Sequence, residues 1–476
     1  MAAETATDIL DLTATDQARL IREKQLSPVD LTRASLERVS TVQPALNPFC
    51  FVYEDEALAA ARAAEQAVMR GDALGKLHGL PIALKDFTPT KGKRATRGSV
   101  AFENWVPEHD AVIATRLRAA GAILLGKTTT PEFAHAGFTH SRLWGVTRNP
   151  WDPTRTPGGS SGGSGAAVVA GCVSIAEGTD MGGSVRIPAA FCGCVGLKPS
   201  LGRIPMDILP TVFDNLSHFG PLARSIDDAA LFLRATEGPH DADIQSQIAP
   251  LPLPARLDGD LRGVRIGLSP DLGFYAVDPT VLRNLELTAQ ALRDAGAVVE
   301  TVAIPWTPEV SDAWIDLWRV FQAAAFGDLL ETHRDRMDPG VVDLIEAGLR
   351  IDAVAHRRIE EIRTRQWRDL ARVFETCDAL LCPTTPIAAP PVDARDDEYY
   401  ETDAAGRLHT MAMTEVFNSV AQCPALSVPS GVTAEGMPTA AQIVARRFDD
   451  PMALRIGAAI ERARPWRIWR PADAGL

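Results

Sequence analysis

The chain has 476 residues, of which 46% are hydrophobic and 23% charged, ordinary values for a globular protein with a large core. Its formal net charge of −13 argues against a surface built for nucleic acid or an anionic membrane. No run approaches the roughly 18 apolar residues of a membrane helix, and residues 1–16 hold no basic, apolar leader. The seven cysteines, at 50, 172, 192, 194, 377, 382 and 423, include no C-x-x-C pair. This predicts a reduced, cytoplasmic setting without a zinc or redox motif.

In chain order, Ser27-Pro28-Val29-Asp30 starts a helix: Ser27 caps it, Pro28 suits its first turn, and the pattern predicts an end near 42, ahead of Pro44. A second helix over about 55–69 sets Ala57, Ala60, Ala61, Ala64, Ala67 and Val68 on one face. Residues 82–84 read as a buried strand with Lys85 at its end. A single lysine is usually a solvated charge, but here the apolar predecessors carry its stem inward, where burial lowers its pKa. A helix over 110–120 leads into Gly121 to Thr128, which matches the phosphate-loop pattern G-x-x-x-x-G-K-[ST]. The match is rejected because a helix precedes the first glycine and 122–125 is itself the strand.

A turn-rich approach over 149–157 leads to a segment dense in glycine and serine, 158–186. It sets Ser160 and Ser184 each among glycines. A flexible linker would not continue into the apolar run 166–170, read as a buried helix to about 172, and then repeat Gly-Gly-Ser. Beyond it come a strand or turn over 172–177, a helix over 223–235 and a proline-rich connector over 239–254. Strand 264–268, a helix from Asp278-Pro279 to 295 and strand 297–302 form a βαβ unit. Residues 308–376 are helical and carry Trp314, Trp318, Phe321, Phe326 and Trp367, mostly core with some for a pocket. Buried strands are expected at 379–383 and 425–429. The pattern is α/β throughout.

A serine is a poor nucleophile until a base takes its proton, and no His/Asp arrangement announces itself. Lys85 can serve if its pKa falls from about 10.4 towards 7–8, a shift that burial at a strand end supplies. The successive N–H groups around Met181, Gly182, Gly183 and Ser184 suit an oxyanion hole, each donor worth about a hundredfold to a thousandfold in rate.

Taken together, the motifs at 79–86, 126–134, 147–152, 158–165, 179–186 and 194–199 resemble, in order, those of the amidase signature family of serine hydrolases. The resemblance implies one α/β/α domain over 1–476 with a large mixed sheet between helices. Within it, 1–70 gives N-terminal helices packed on the core, 71–240 the signature core, and 305–376 a helical insert shaping the substrate pocket. It implies Ser184 as nucleophile, Ser160 as a bridging serine held by a cis peptide bond, and Lys85 as base. Met181, Gly182 and Gly183 become oxyanion donors, Asp180 and Arg186 a supporting pair, and Thr179 an orienting residue. The chemistry implied is cleavage of a linear amide, ester or carbamate through an acyl-enzyme, with no metal and no cofactor. The expected partner is that small molecule, with no nucleic acid, no membrane, and a homodimer left open.

Two stretches depart from the family pattern, Met437 to Gln442 and Asn215 to Pro221. The second, with the acidic charge, disfavours a role linked to transfer RNA. The insert and the loop 205–215 are expected to select substrate, and their apolar content favours an acyl or aryl amide. One rival reading takes Gly158 to Gly162 as the G-x-S-x-G elbow of an α/β-hydrolase, with Ser160 as nucleophile and a downstream histidine as base. It requires a strand just before Gly158. A second rival is a non-catalytic, amidotransferase-like scaffold.

Overall fold

Strand residues alternate between two apolar layers, and that alternation places the helices. Ile82 and Leu84 enter one core while Ala83 enters another; Ala379 and Leu381 part from Leu380 and Cys382 in the same way. The computed structural model describes residues 8–254, 257 and 260–466; residues 1–7, part of the expected leaderless N-terminus, lie outside them. Eleven strands form one sheet: β1 (Phe49–Val52), β2 (Pro81–Lys85), β3 (Ile123–Thr128), β4 (Ile175–Asp180), β5 (Val195–Lys198), β6 (His218–Ala223), β7 (Arg265–Leu268), β8 (Val298–Thr301), β9 (Ala379–Pro383), β10 (Ala425–Val432) and β11 (Pro438–Ala445). Their spatial order is β1-β3-β2-β4-β6-β5-β10-β11-β9-β7-β8. The sheet is mixed: β2 runs parallel to β3 and β4, and β7 to β8 and β9, whereas the central pairs from β4 through β6, β5, β10 and β11 to β9 are antiparallel.

One layer holds α1 (Ala14–Arg22), and the other α2 (Pro28–Leu46) and α3 (Glu54–Arg70). Helix α4 (Val112–Ala119) covers the first layer, and α5 (Gly162–Val169) and α6 (Arg186–Cys192) lie in the second. Helices α7 (Ile226–Thr236) and α8 (Pro279–Asp294) return to the first. Three long helices, α9 (Glu309–Phe326), α10 (Pro339–Leu349) and α11 (Ala353–Thr376), with a single helical turn at Leu330–His333 between the first two, make up the expected helical region, and α12 (Asp450–Ala463) lies on the first layer. This is the α/β architecture with a large mixed sheet between helices. Among the described residues no helix is long and apolar enough to cross a membrane, and all seven cysteines are free thiols.

The structure corrects several boundaries. Helix α2 continues through Pro44 to Leu46 instead of ending near 42. Proline there removes only the bond to the carbonyl of Ser40, which is solvent-exposed. On α3 the buried face is Ala57, Ala61, Ala64 and Val68; Ala60 is exposed. Helix α5 starts four residues before the expected 166, inside the glycine-rich run. A Cβ at Gly163 would meet Thr129 Oγ1 at 2.4 Å, so the helix needs glycine to lie that close to β3. Residues 218–223 are strand β6, so the following helix begins at Ile226. Strand β3 extends to Thr128 and buries Lys127, whose Nζ donates to the Thr88 carbonyl, so the phosphate-loop match is a strand.

Candidate active site

Lys85 is the last residue of β2 and shares the face of Ala83, the side on which α5 and α6 pack. It is fully buried. Its Nζ lies 2.6 Å from Ser160 Oγ and 2.9 Å from Thr179 Oγ1, and it forms no salt bridge among the described residues. Burial drives the Lys85 pKa down to about 7, against the opposing charges of Glu177 and Asp180. Glu177, which no sequence motif singles out, is buried and accepts from the Lys85 backbone N–H at 2.9 Å and from Thr88 Oγ1 at 2.9 Å. Burial raises its own pKa. Only its place opposite β2 in the folded sheet distinguishes it from other acidic residues.

Ser160 is fully buried and follows a cis Gly159–Ser160 peptide bond. The next residue joins this loop to the second serine, because the Ser161 N–H donates to the Ser184 carbonyl at 3.1 Å. Ser184 is half-buried, between β4 and α6. Among the described residues no hydrogen bond joins Ser160 Oγ to Ser184 Oγ. Ser184, Gly159, Met181 and Gly182 border a cavity of about 860 Å³. Its wall includes Trp314 and Trp318 of α9 and Met411, with the ends of α10 beyond. Trp314 and Trp318 stack with ring centroids 6.0 Å apart, and Trp318 stacks on Phe321 at 5.4 Å.

The segment 180–184 has every carbonyl engaged. The Asp180 carbonyl accepts from Asn418 Nδ2 at 3.2 Å, Met181 from Trp314 Nε1 at 2.9 Å, Gly182 from Thr414 Oγ1 at 2.7 Å, and Gly183 from the Ile187 N–H at 2.7 Å. A trans peptide points its N–H opposite its carbonyl, so these four bonds fix four N–H directions. One N–H, that of Gly183, is taken by Asp180 Oδ1 at 2.9 Å. Of the three expected donors, the Gly183 N–H is thus engaged by Asp180, while the N–H groups of Met181 and Gly182, and that of Ser184, have no acceptor among the described residues. The competing acceptor is the Asp180 carboxylate, which a list of N–H groups in sequence does not reveal.

Asp180 and Arg186 are both fully buried and lie 2.9 Å apart. Burial alone would raise the Asp180 pKa, but Arg186 and Asn418 outweigh it and hold the carboxyl far below the usual range. The Arg186 guanidinium also donates to the Thr414 carbonyl, Gln442 Oε1 and Asn418 Oδ1. One buried cation thus ties β4, the loop before β10 and β11 into a single frame. Gly182 and Gly183 sit tightly inside it: a Cβ would meet the Trp314 ring at 2.2 Å and Thr414 Oγ1 at 1.9 Å, and Gly183 has φ +125°. A Gly182→Ala variant is expected to push the Trp314–Trp318 pair apart. The readout is an altered near-ultraviolet circular dichroism spectrum with the far-ultraviolet spectrum kept.

The loop 205–215, expected to select substrate, contributes no lining residue to this cavity. It is held elsewhere: Asp207 Oδ2 accepts from the Val112 N–H at the start of α4, and Phe213 is exposed. Trp367 also lies apart, under the Arg447 guanidinium.

The fold thus sets a buried lysine against one serine and a second serine on the wall of a large cavity. The family model described as Amidase matches residues 30–454. The chain belongs to this family, the amidase signature enzymes, which are amide hydrolases. It is 35% identical to an acylamidase from Rhodococcus erythropolis, over 97% of this chain and 98% of that protein. It is also 35% identical to one subunit of the glutamyl-tRNA(Gln) amidotransferase from Chloroflexus aurantiacus, over 98% of this chain and 99% of that one. Among solved structures, a bacterial aryl acylamidase of the amidase signature family superposes with a TM-score of 0.90 at 29% identity, covering 96% of this chain and 97% of that chain.

Proposed function

We propose that the protein hydrolyses a linear amide carrying an apolar or aromatic group, through an acyl-enzyme on Ser184. The observation that carries this reading is the buried Lys85–Ser160 contact of 2.6 Å, with Ser184 on the wall of an aromatic-lined cavity. Neutral Lys85 accepts the Ser160 proton as Ser160 accepts that of Ser184. Ser184 Oγ then bonds to the carbonyl carbon, and the oxyanion takes N–H groups from the 181–184 segment. The C–N bond breaks as the proton returns along the same path to the leaving nitrogen. Water next attacks the acyl carbon, giving its proton to the relay, and the acid leaves with Ser184 restored. The Ser184-to-Ser160 link closes when substrate binds, since catalytic hydrogen bonds commonly tighten in the complex.

The elbow reading is disfavoured by burial. Ser160 cannot be reached from the cavity, no strand precedes Gly158, and His218 is held between the carbonyls of Asp180 and Ala421. Esters and carbamates present the same carbonyl to Ser184 and belong in the test. That test is a panel of aliphatic amides, anilides, p-nitrophenyl esters and aryl carbamates, with hydroxylamine added to trap the acyl group as a hydroxamate. The expected result is turnover of aryl or acyl amides, hydroxamate formation, and loss of both in Ser184→Ala. Full activity in Ser184→Ala would overturn the nucleophile assignment.

A further inference from the structure

We infer that Trp314 and Thr414 are positioning residues for the oxyanion site, acting by holding two successive carbonyls of the 181–184 segment. The inference rests on the Ser184 acyl-enzyme reading above and goes beyond it, because both residues lie far in sequence from the signature core.

The geometry is specific. Trp314 Nε1 donates to the Met181 carbonyl at 2.9 Å, which sets the Met181–Gly182 peptide plane and therefore the direction of the Gly182 N–H. Thr414 Oγ1 donates to the Gly182 carbonyl at 2.7 Å, which sets the next plane and turns the Gly183 N–H to Asp180. Each donor is itself held. Thr414 is fixed through its own carbonyl by Arg186 at 2.9 Å, and Trp314 is fixed by stacking on Trp318. The glycines record the same constraint, since neither position leaves room for a Cβ against these two side chains. Without the Trp314 bond the Met181–Gly182 peptide, and with it the Gly182 N–H, loses its anchor. Without the Thr414 bond the Gly182–Gly183 peptide, which lies between the Gly182 and Ser184 N–H groups, is held only by Gly183 N–H to Asp180 and can tilt, shifting the donors on either side. An oxyanion donor gives its rate advantage only when pre-aligned.

The two residues differ in one useful respect. Trp314 also borders the cavity, whereas Thr414 does not. Losing the Trp314 N–H is therefore expected to act on turnover and, through the ring, on substrate binding. Losing the Thr414 hydroxyl is expected to act on turnover alone.

The test uses conservative changes in the full chain: the isosteric Thr414→Val, with Thr414→Ser and Trp314→Phe, and Ser184→Ala beside them. Each variant is assayed for kcat and KM on the best panel substrate. Each is also assayed for inhibition by an aryl trifluoromethyl ketone, whose serine adduct carries an oxyanion. Thr414→Val is expected to lower kcat about 10–100-fold at unchanged KM, part of the hundredfold to thousandfold worth of a whole donor. The inhibition constant should rise in proportion. Thr414→Ser, which keeps the hydroxyl, is expected to restore most of both. Trp314→Phe is expected to lower kcat and to raise KM only modestly. If Thr414→Val and Trp314→Phe match the parent in kcat and inhibition, the positioning role is wrong. The same holds if Thr414→Ser is as impaired as Thr414→Val. If instead Ser184→Ala remains active and the ketone does not inhibit the parent, the underlying acyl-enzyme reading fails.

Discussion

Lys85→Met is expected to lower kcat/KM by about 10²–10⁴-fold, the usual worth of a positioned general base. The parent's own pH profile should show why. The pKa of Lys85 is pressed to about 7 by burial, so the amine is neutral and able to accept a proton only above that pH. Activity is expected to rise through about pH 7 and then level, and this limb should vanish in the residual rate of Lys85→Met. The same group leaves a mark on stability, of opposite sign to its catalytic use. In the unfolded chain a lysine keeps its proton up to about 10.5, whereas in the native state Lys85 has lost it from about 7. Between those values the unfolded state binds more protons, so stability climbs with pH across that window. Lys85→Met removes its part of the climb and is expected to raise the melting temperature most at or below pH 7. Part of the climb should persist, because burial also presses Lys198 down to about 7. Calorimetry at pH 6 and pH 9 on parent and variant checks both signs.

The second large effect is expected at the buried ion pair. Arg186→Met leaves the Asp180 carboxylate uncompensated in a site with no solvent exposure, and breaking such a pair costs about 3–5 kcal/mol. Asp180→Asn does the converse and also weakens the acceptor of the Gly183 and Val185 N–H groups. Both variants are expected to show lower denaturant midpoints and lower turnover. The acid limb is predicted too. Because Asp180 is held far below the ordinary carboxylate range, its contribution is fully present above the unfolded value of 3.8. It is lost progressively as pH falls from that value through the much lower folded one. The parent should therefore show no acid weakening from this pair above pH 4. A melting temperature unchanged in Arg186→Met would refute the assigned role of the pair.

Much of this was legible in the chain itself because its signals are local. Apolar runs of strand length marked β2, β3, β7, β9 and β10, and the proline-led starts of α2 and α8 carry their own caps. Glycines crowding Ser160 and Ser184 marked the two loops that the Ser161 N–H to Ser184 carbonyl bond joins. What escaped depends on partners far away in sequence. Strand β6 contains a proline and a glycine and reads as a loop until β4 and β5 flank it. Strand β11 dilutes its β-branched Thr439, Ile443 and Val444 with three alanines and is defined by β10 and β9 on either side. At the site, Asp180 and Arg186 are six residues apart and could be paired on paper. Nothing in the sequence ties Arg186 to Thr414, Asn418 and Gln442, or Trp314 to the Met181 carbonyl.

The position of β10 and β11 has a consequence for how the protein is made. Among the described residues they are the last two strands in sequence, yet they sit in the middle of the sheet, between β5 and β9. The strands whose edges β10 and β11 cover, β5 and β9, are therefore synthesised before the pair that covers them. Such edges are what stray chains pair with. Lys85, Ser160 and Ser184 are all synthesised early, but the side chains that hold Arg186 arrive only at 414–442. Arg186 therefore waits through 228 further residues for the first of these partners that frame it.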